Sequence, residues 1–144
     1  MTGASSATAM LWPAVAMAAL TFVVWFRLYH LRLGEMMRKR IHAQSLAGSA
    51  DSARQLTDTR ASDNFRNLFE LPVLFYAGVL LAAQLGVVDA VTVAMAWAFV
   101  LLRAVHSAVQ CSFNHVMTRF VAYLLAALVL IAFWARIAWS MASA

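Results

Sequence analysis

Residues 63–86 read DNFRNLFELPVLFYAGVLLAAQLG, and this stretch decides the fold. From Leu71 to Val88 no side chain carries a charge. A hydrocarbon core about 30 Å thick takes about 20 helical residues, each rising about 1.5 Å. The stretch is therefore a membrane-spanning helix. It ends in a tight turn, Gly86-Val87-Val88-Asp89, and Asp89 stands where an N-cap would open the next helix.

Upstream, Leu11 to Tyr29 is a second apolar run, broken only by Arg27. No Lys or Arg precedes it, so it lacks the basic leader of a signal peptide. Pro13 falls in the first turn, where a proline is tolerated. Downstream, two more apolar runs follow Asp89 and Thr118. The pattern predicts an all-α integral membrane protein, a four-transmembrane-helix bundle forming a single domain over residues 1–144. The spans fall at about 9–31, 64–86, 90–109 and 119–140 by length and hydropathy, the first running on as a polar extension towards Arg40.

Composition agrees. The chain is 64% hydrophobic and 12% charged, whereas soluble domains carry about 25% charged residues. Disorder needs the opposite balance. One cysteine, Cys111, makes no internal bridge. Residues 32–63 are the one polar stretch and read as a loop at the membrane surface. Of the 11 Lys and Arg residues, only Arg136 lies towards the terminal side. The positive-inside rule then places the loop 32–63 and the loop after the third span in the cytoplasm, with both termini non-cytoplasmic. The basic loop has no interleaved aromatics for stacking bases, so no nucleic-acid partner is expected.

The informative residues are the ionisable ones near or within helices, where lipid tolerates a charge only beside a partner or a water-filled cavity. Arg66, Asn67 and Glu70 fall on one face of a continuous second helix, at i, i+1 and i+4. They read either as a ligand cradle or as a local Arg66–Glu70 pair holding the start of the helix. Arg103, His106 and Gln110 share a face of the third helix at i, i+3 and i+7. Arg103 is either part of a site or a side chain that snorkels to the interface. Arg119 opens the fourth helix, as an anchor or as a third guanidinium at that depth. Three guanidiniums and one carboxylate in one membrane half describe an anion pocket for a carboxylate- or phosphate-bearing ligand. The scattered His30, His42, His106 and His115 have no metal-ligand spacing, and no metal is expected.

These residues resemble a known family, the membrane-associated proteins in eicosanoid and glutathione metabolism (MAPEG), in its bacterial, uncharacterised branch. The resemblance rests on Asn67-x-x-Glu70 followed by Pro72, on Arg103-x-x-His106, and on Arg119 sixteen residues after Arg103. It covers nearly the whole chain. It implies a homotrimer in the lipid bilayer of the bacterial inner membrane, with glutathione as co-substrate in cavities between subunits. Carried over by position, Arg66 and Arg103 would hold glutathione carboxylates, and Asn67 and Glu70 its peptide and amino groups. Arg119 would stabilise the thiolate as the catalytic residue. Arg32 matches the first-helix arginine, with Arg27 close behind. His106 and Gln110 lie on the same binding side.

Gln110 stands where catalytic members usually carry a tyrosine. Phe120 stands where some have a serine, and Pro72 comes two residues after Glu70 rather than four. Two functions follow: a glutathione-dependent transferase or peroxidase acting on lipophilic electrophiles, or a non-catalytic protein that binds lipid or serves as an accessory subunit of a larger membrane complex.

Overall fold

The computed structural model describes residues 2–143. They form α1 (Thr2–Lys39), a 3₁₀ turn (Ala43–Leu46), α2 (Ser49–Gln55), α3 (Arg60–Asn67), α4 (Leu71–Leu85), α5 (Ala90–Cys111) and α6 (Val116–Ala142). Among the described residues there is no strand. Four segments are long and apolar enough to cross a membrane: Ala7–Lys39, Arg60–Leu85, Ala90–Cys111 and Val116–Ala142. The chain is an all-helical, four-span membrane bundle. The segment expected as loop 32–63 is partly helical, because α1 continues to Lys39 and α3 already starts at Arg60.

One expectation is corrected. The second span is two helices rather than one. Pro72 has no N–H to give the Leu68 carbonyl, and its ring would collide with that carbonyl in a continuous helix. The chain therefore leaves α3 after Asn67, turns through Leu68–Glu70 and restarts at Leu71 with Pro72 in the first turn. Glu70 sits at φ −95°, ψ −100°, outside helical geometry. Arg66 and Glu70 are thus not one turn apart on a common face, and no ion pair joins them among the described residues.

The other junctions follow their sequence signals. Gly86 ends α4 in the left-handed region at φ +70°, which glycine adopts without steric cost, and the Val87 N–H reaches back to the Ala82 carbonyl at 2.9 Å. Asp89 caps α5, its carboxylate accepting from the Thr92 N–H at 2.8 Å. Asn114 takes φ +51° in the turn before α6, a conformation Asn tolerates better than most side chains.

Packing runs along helical stripes. α1 buries Met10, Met17 and Val24, two turns apart each time. α6 buries Ala122, Ala126, Leu130, Phe133 and Ile137. Phe75 of α4 stacks on Phe99 of α5 with centroids 4.6 Å apart, and Phe133 lies 6.4 Å from Phe75. Lipid tails are as apolar as these side chains, so close packing rather than water exclusion holds the helices together. Small buried residues, Gly78, Ala82, Ala96 and Ala126, allow that approach. Large side chains such as Phe22, Phe26, Leu80 and Ile131 point outwards.

The buried stripe of α5 changes character along its length. Thr92, Ala96, Phe99 and Val100 give way to Arg103, His106, Ser107 and Gln110, all buried. The polar end of α5 lies beside α3 and the start of α6.

Candidate functional site

Arg103 is fully buried. Its Nη2 donates to the Asn67 carbonyl at 2.8 Å, so α5 supplies the cap for the C-terminus of α3 where the second span breaks. Its guanidinium carbon lies 5.3 Å from the centre of the Tyr123 ring on α6, in cation–π range. Its Nε and Nη1 have no hydrogen-bond partner among the described residues. A buried guanidinium with two open nitrogens is an anion or water site by chemistry.

One turn on, His106 is held at both nitrogens. Nδ1 lies 2.8 Å from the Arg119 carbonyl. Nε2 lies 2.9 Å from Oε1 of the Gln110 carboxamide. The same Gln110 oxygen accepts from Asn67 Nδ2 at 3.2 Å. Below this, Ser107 Oγ donates to Asn64 Oδ1 at 3.1 Å, and Asn64 Nδ2 reaches Cys111 Sγ at 3.4 Å. Asn64 and Asn67 of α3 thus engage Ser107, Gln110 and Cys111 of α5, while Arg103 keeps two nitrogens open.

The open side of this network is Glu70, Tyr123 and Arg119. The exposed Glu70 carboxylate accepts from the Tyr123 hydroxyl at 3.2 Å. Arg119 precedes Tyr123 by one helical turn and is half-buried, with Nη1 donating to Asn114 Oδ1 at 2.9 Å. A carboxylate and a phenol thus meet beside Arg103, and one helical turn away the Arg119 guanidinium is turned to Asn114.

Arg32 and Arg66 lie elsewhere. Both line a cavity between α1, α2 and α3, with Ser52 and Ser62. Arg32 Nη2 donates to Ser52 Oγ at 3.1 Å. Two of the acidic residues there are already engaged. Glu35 pairs with Lys39 at 2.6 Å and accepts from the Thr57 hydroxyl at 2.7 Å. Asp58 pairs with Arg60 at 2.8 Å, and that hydrogen bond holds its carboxyl below the usual carboxylate range. No hydrogen bond or ion pair engages the Arg66 side chain among the described residues. The polar segment is also tied to the α5–α6 turn: Arg60 Nη1 donates to the Ser112 carbonyl and Arg27 Nη2 to the Cys111 carbonyl, each at 2.6 Å.

Of the residues singled out in the sequence, the fold brings together Asn67, Glu70, Arg103, His106, Gln110 and the backbone of Arg119. It sets Arg32 and Arg66 in a separate cavity. Tyr123, Asn64 and Ser107 were missed. Tyr123 follows Arg119 at i+4, and Ser107 follows Arg103 at i+4, so helical spacing alone would have found both. Among the described residues no three His, Cys, Asp or Glu side chains group closely enough to hold a metal ion.

This fold and network define a class: a four-span helical membrane protein with a buried polar cluster at its basic end. The model of the MAPEG family matches residues 10–139, and the chain belongs to that family. No curated protein and no solved structure matches the chain.

Proposed function

We propose that this chain is a glutathione-dependent transferase or peroxidase acting on lipophilic electrophiles, a homotrimer in the bacterial inner membrane. In this reading its basic end faces the cytoplasm and both termini lie outside. Family membership supports the choice of co-substrate. The observation that carries the reading is the open Glu70–Tyr123 pair beside Arg103, whose Nε and Nη1 lack partners. The residues present fit a zwitterionic thiol. Glu70 takes the ammonium, Arg103 offers a carboxylate its unused N–H groups, and the guanidinium of Arg119 lowers the pKa of a thiol near it. A thiol held there supplies the nucleophile, and the lipophilic acceptor arrives from the lipid side.

The test is thiolate absorbance on adding glutathione to detergent-purified protein, with thermal unfolding at millimolar glutathione. A thiolate band and a raised Tm are expected, and Arg119→Leu should abolish the band while the fold persists. Absence of both signals in the wild type defeats the reading.

One observation favours the alternative of a non-catalytic protein that binds lipid or joins a larger complex. Asn67, His106 and Gln110 spend their polar groups on one another. Gln110 there replaces the tyrosine usual in catalytic members. Under that reading Arg119→Leu changes stability alone, and a stoichiometric partner or lipid co-purifies from native membranes.

A further inference from the structure

The turn between α5 and α6 is apolar where a loop in water is polar. Phe113 is 72% exposed, Val116 58% and Met117 62%. The polar side chains of the same turn are directed at the protein itself. Asn114 Oδ1 accepts from Arg119 Nη1 at 2.9 Å. His115 caps α6, with Nδ1 2.8 Å from the Thr118 hydroxyl. The last carbonyls of a helix have no partner inside it, yet at the end of α5 they are engaged. Ala108 accepts from the Ser112 hydroxyl, Val109 from the Asn114 N–H at 2.8 Å, and Cys111 from Arg27. The Ser112 carbonyl accepts from Arg60. A turn whose backbone is satisfied by protein, and whose large side chains are apolar, is built for a poorly hydrated layer.

Helix lengths set the depth of that layer. α5 has 22 residues, about 33 Å at about 1.5 Å per residue, against a hydrocarbon core of about 30 Å. Its N-terminus carries the ion pair of Asp89 and Arg136, which marks one edge of that core. Along α6, Val116 lies about 30 Å from Arg136, so both helices put the turn at the other edge. α1 runs past it. Arg27 meets the Cys111 carbonyl, and residues 28–39 extend about 18 Å further. Exposed apolar side chains therefore occur at two heights, with Phe113, Val116 and Met117 at the membrane edge and Met37 well beyond it. Met117, Val121, Leu124, Leu128 and Ile131 form one exposed stripe along α6, at spacings of three and four residues. The turn thus continues the surface that the spanning part of α6 presents to acyl chains.

We propose that the α5–α6 turn is a lipid-contacting anchor. Phe113, Val116 and Met117 lie in the head-group layer and the first carbons of the acyl chains at the basic end of the bundle. The end of α1, with α2, stands in water beyond them. Arg27 and Arg60, each 2.6 Å from a carbonyl of the turn, hold its backbone to α1 and α3. The apolar side chains therefore enter the leaflet from a fixed turn rather than a loose loop. Continuity with the spanning surface of α6 argues for lipid, rather than a second copy of this chain, as the occupant. The assignment rests on the four-span fold alone and does not depend on the thiol reading.

The test is spin labelling of the full chain in vesicles of phosphatidylcholine and phosphatidylglycerol. In a Cys111→Ser background a nitroxide is attached through Phe113→Cys, Met117→Cys, Met37→Cys or Leu128→Cys, one at a time. Its collisions with oxygen, which partitions into acyl chains, are compared with those of a water-soluble nickel chelate. The label at 128 sets the value for a lipid-facing site and shows that the chain is inserted. The oxygen-to-nickel ratio at 113 and 117 is expected several-fold above that at 37 and close to that at 128. A ratio at 113 and 117 no higher than at 37 places the turn in the same surroundings as the end of α1 and overturns the proposal. So does low accessibility to both reagents at 113 and 117, which would mean that a second copy or another protein covers the turn.

Discussion

Arg103 Nη2 sits 2.8 Å from the carbonyl of Asn67, so a guanidinium from the third span caps the helix end inside the second. Loss of that bond strands a buried carbonyl beside a broken helix. Arg103→Leu is expected to destabilise the protein by about 2–3 kcal/mol, the range for a hydrogen bond to a charged group. Arg103→Lys should recover little, because one ammonium cannot reproduce the planar fork over Tyr123. Thermal unfolding in detergent measures both.

Gln110 joins Asn67 to His106 through one carboxamide oxygen. Gln110→Ala leaves the buried His106 and the half-buried Asn67 without that partner and should cost about 2 kcal/mol. A double-mutant cycle with Asn67→Ala checks that the effect belongs to the bridge. Additive losses would show that the two residues act independently.

Gly78 faces Phe133 at close range: a Cβ added there would lie 2.8 Å from Phe133 Cε1. Gly78→Ala must displace a ring that packs against Phe75. The expected loss is about 1–3 kcal/mol, typical of overpacking. Pairing it with Phe133→Leu, which clears the contact, should cost less than the sum of the two single changes.

Asp89 accepts from the backbone N–H and the hydroxyl of Thr92 and pairs with Arg136. These contacts, the Thr92 N–H first, hold its carboxyl down to about 2. A depressed carboxylate stabilises the fold fully above its unfolded pKa of about 3.9 and loses that contribution as the pH falls through its folded value. Asp89→Ala should cost about 1 kcal/mol at neutral pH as a lost N-cap. The gap between variant and wild type should close as the pH is lowered from about 4 towards 2. A gap that stays constant over that window would mean that the charge of Asp89 does not matter.

Much of the architecture was legible in local signals. The charge-free run Leu71–Val88, the left-handed turn at Gly86 and the cap at Asp89 are written in residues adjacent to one another. Pro72 was also a break signal, but the helical periodicity around Arg66 and Glu70 masked it. The site was legible only in part. Helical spacing put Arg103, His106 and Gln110 on one face, which the fold keeps. The grouping of Arg66 with Glu70 failed because a face exists only while the helix is continuous.

The sequence by itself determined that the chain spans a membrane four times and that its basic charge gathers at one end. Those properties follow from hydropathy and charge order, which each segment carries alone. Only the tertiary structure decided which polar groups meet. Asn67 finds Gln110 and Arg103, Glu70 finds Tyr123, and Arg66 lines one cavity with Arg32. Such contacts join residues on different helices, so helix packing decides them and no single segment carries them.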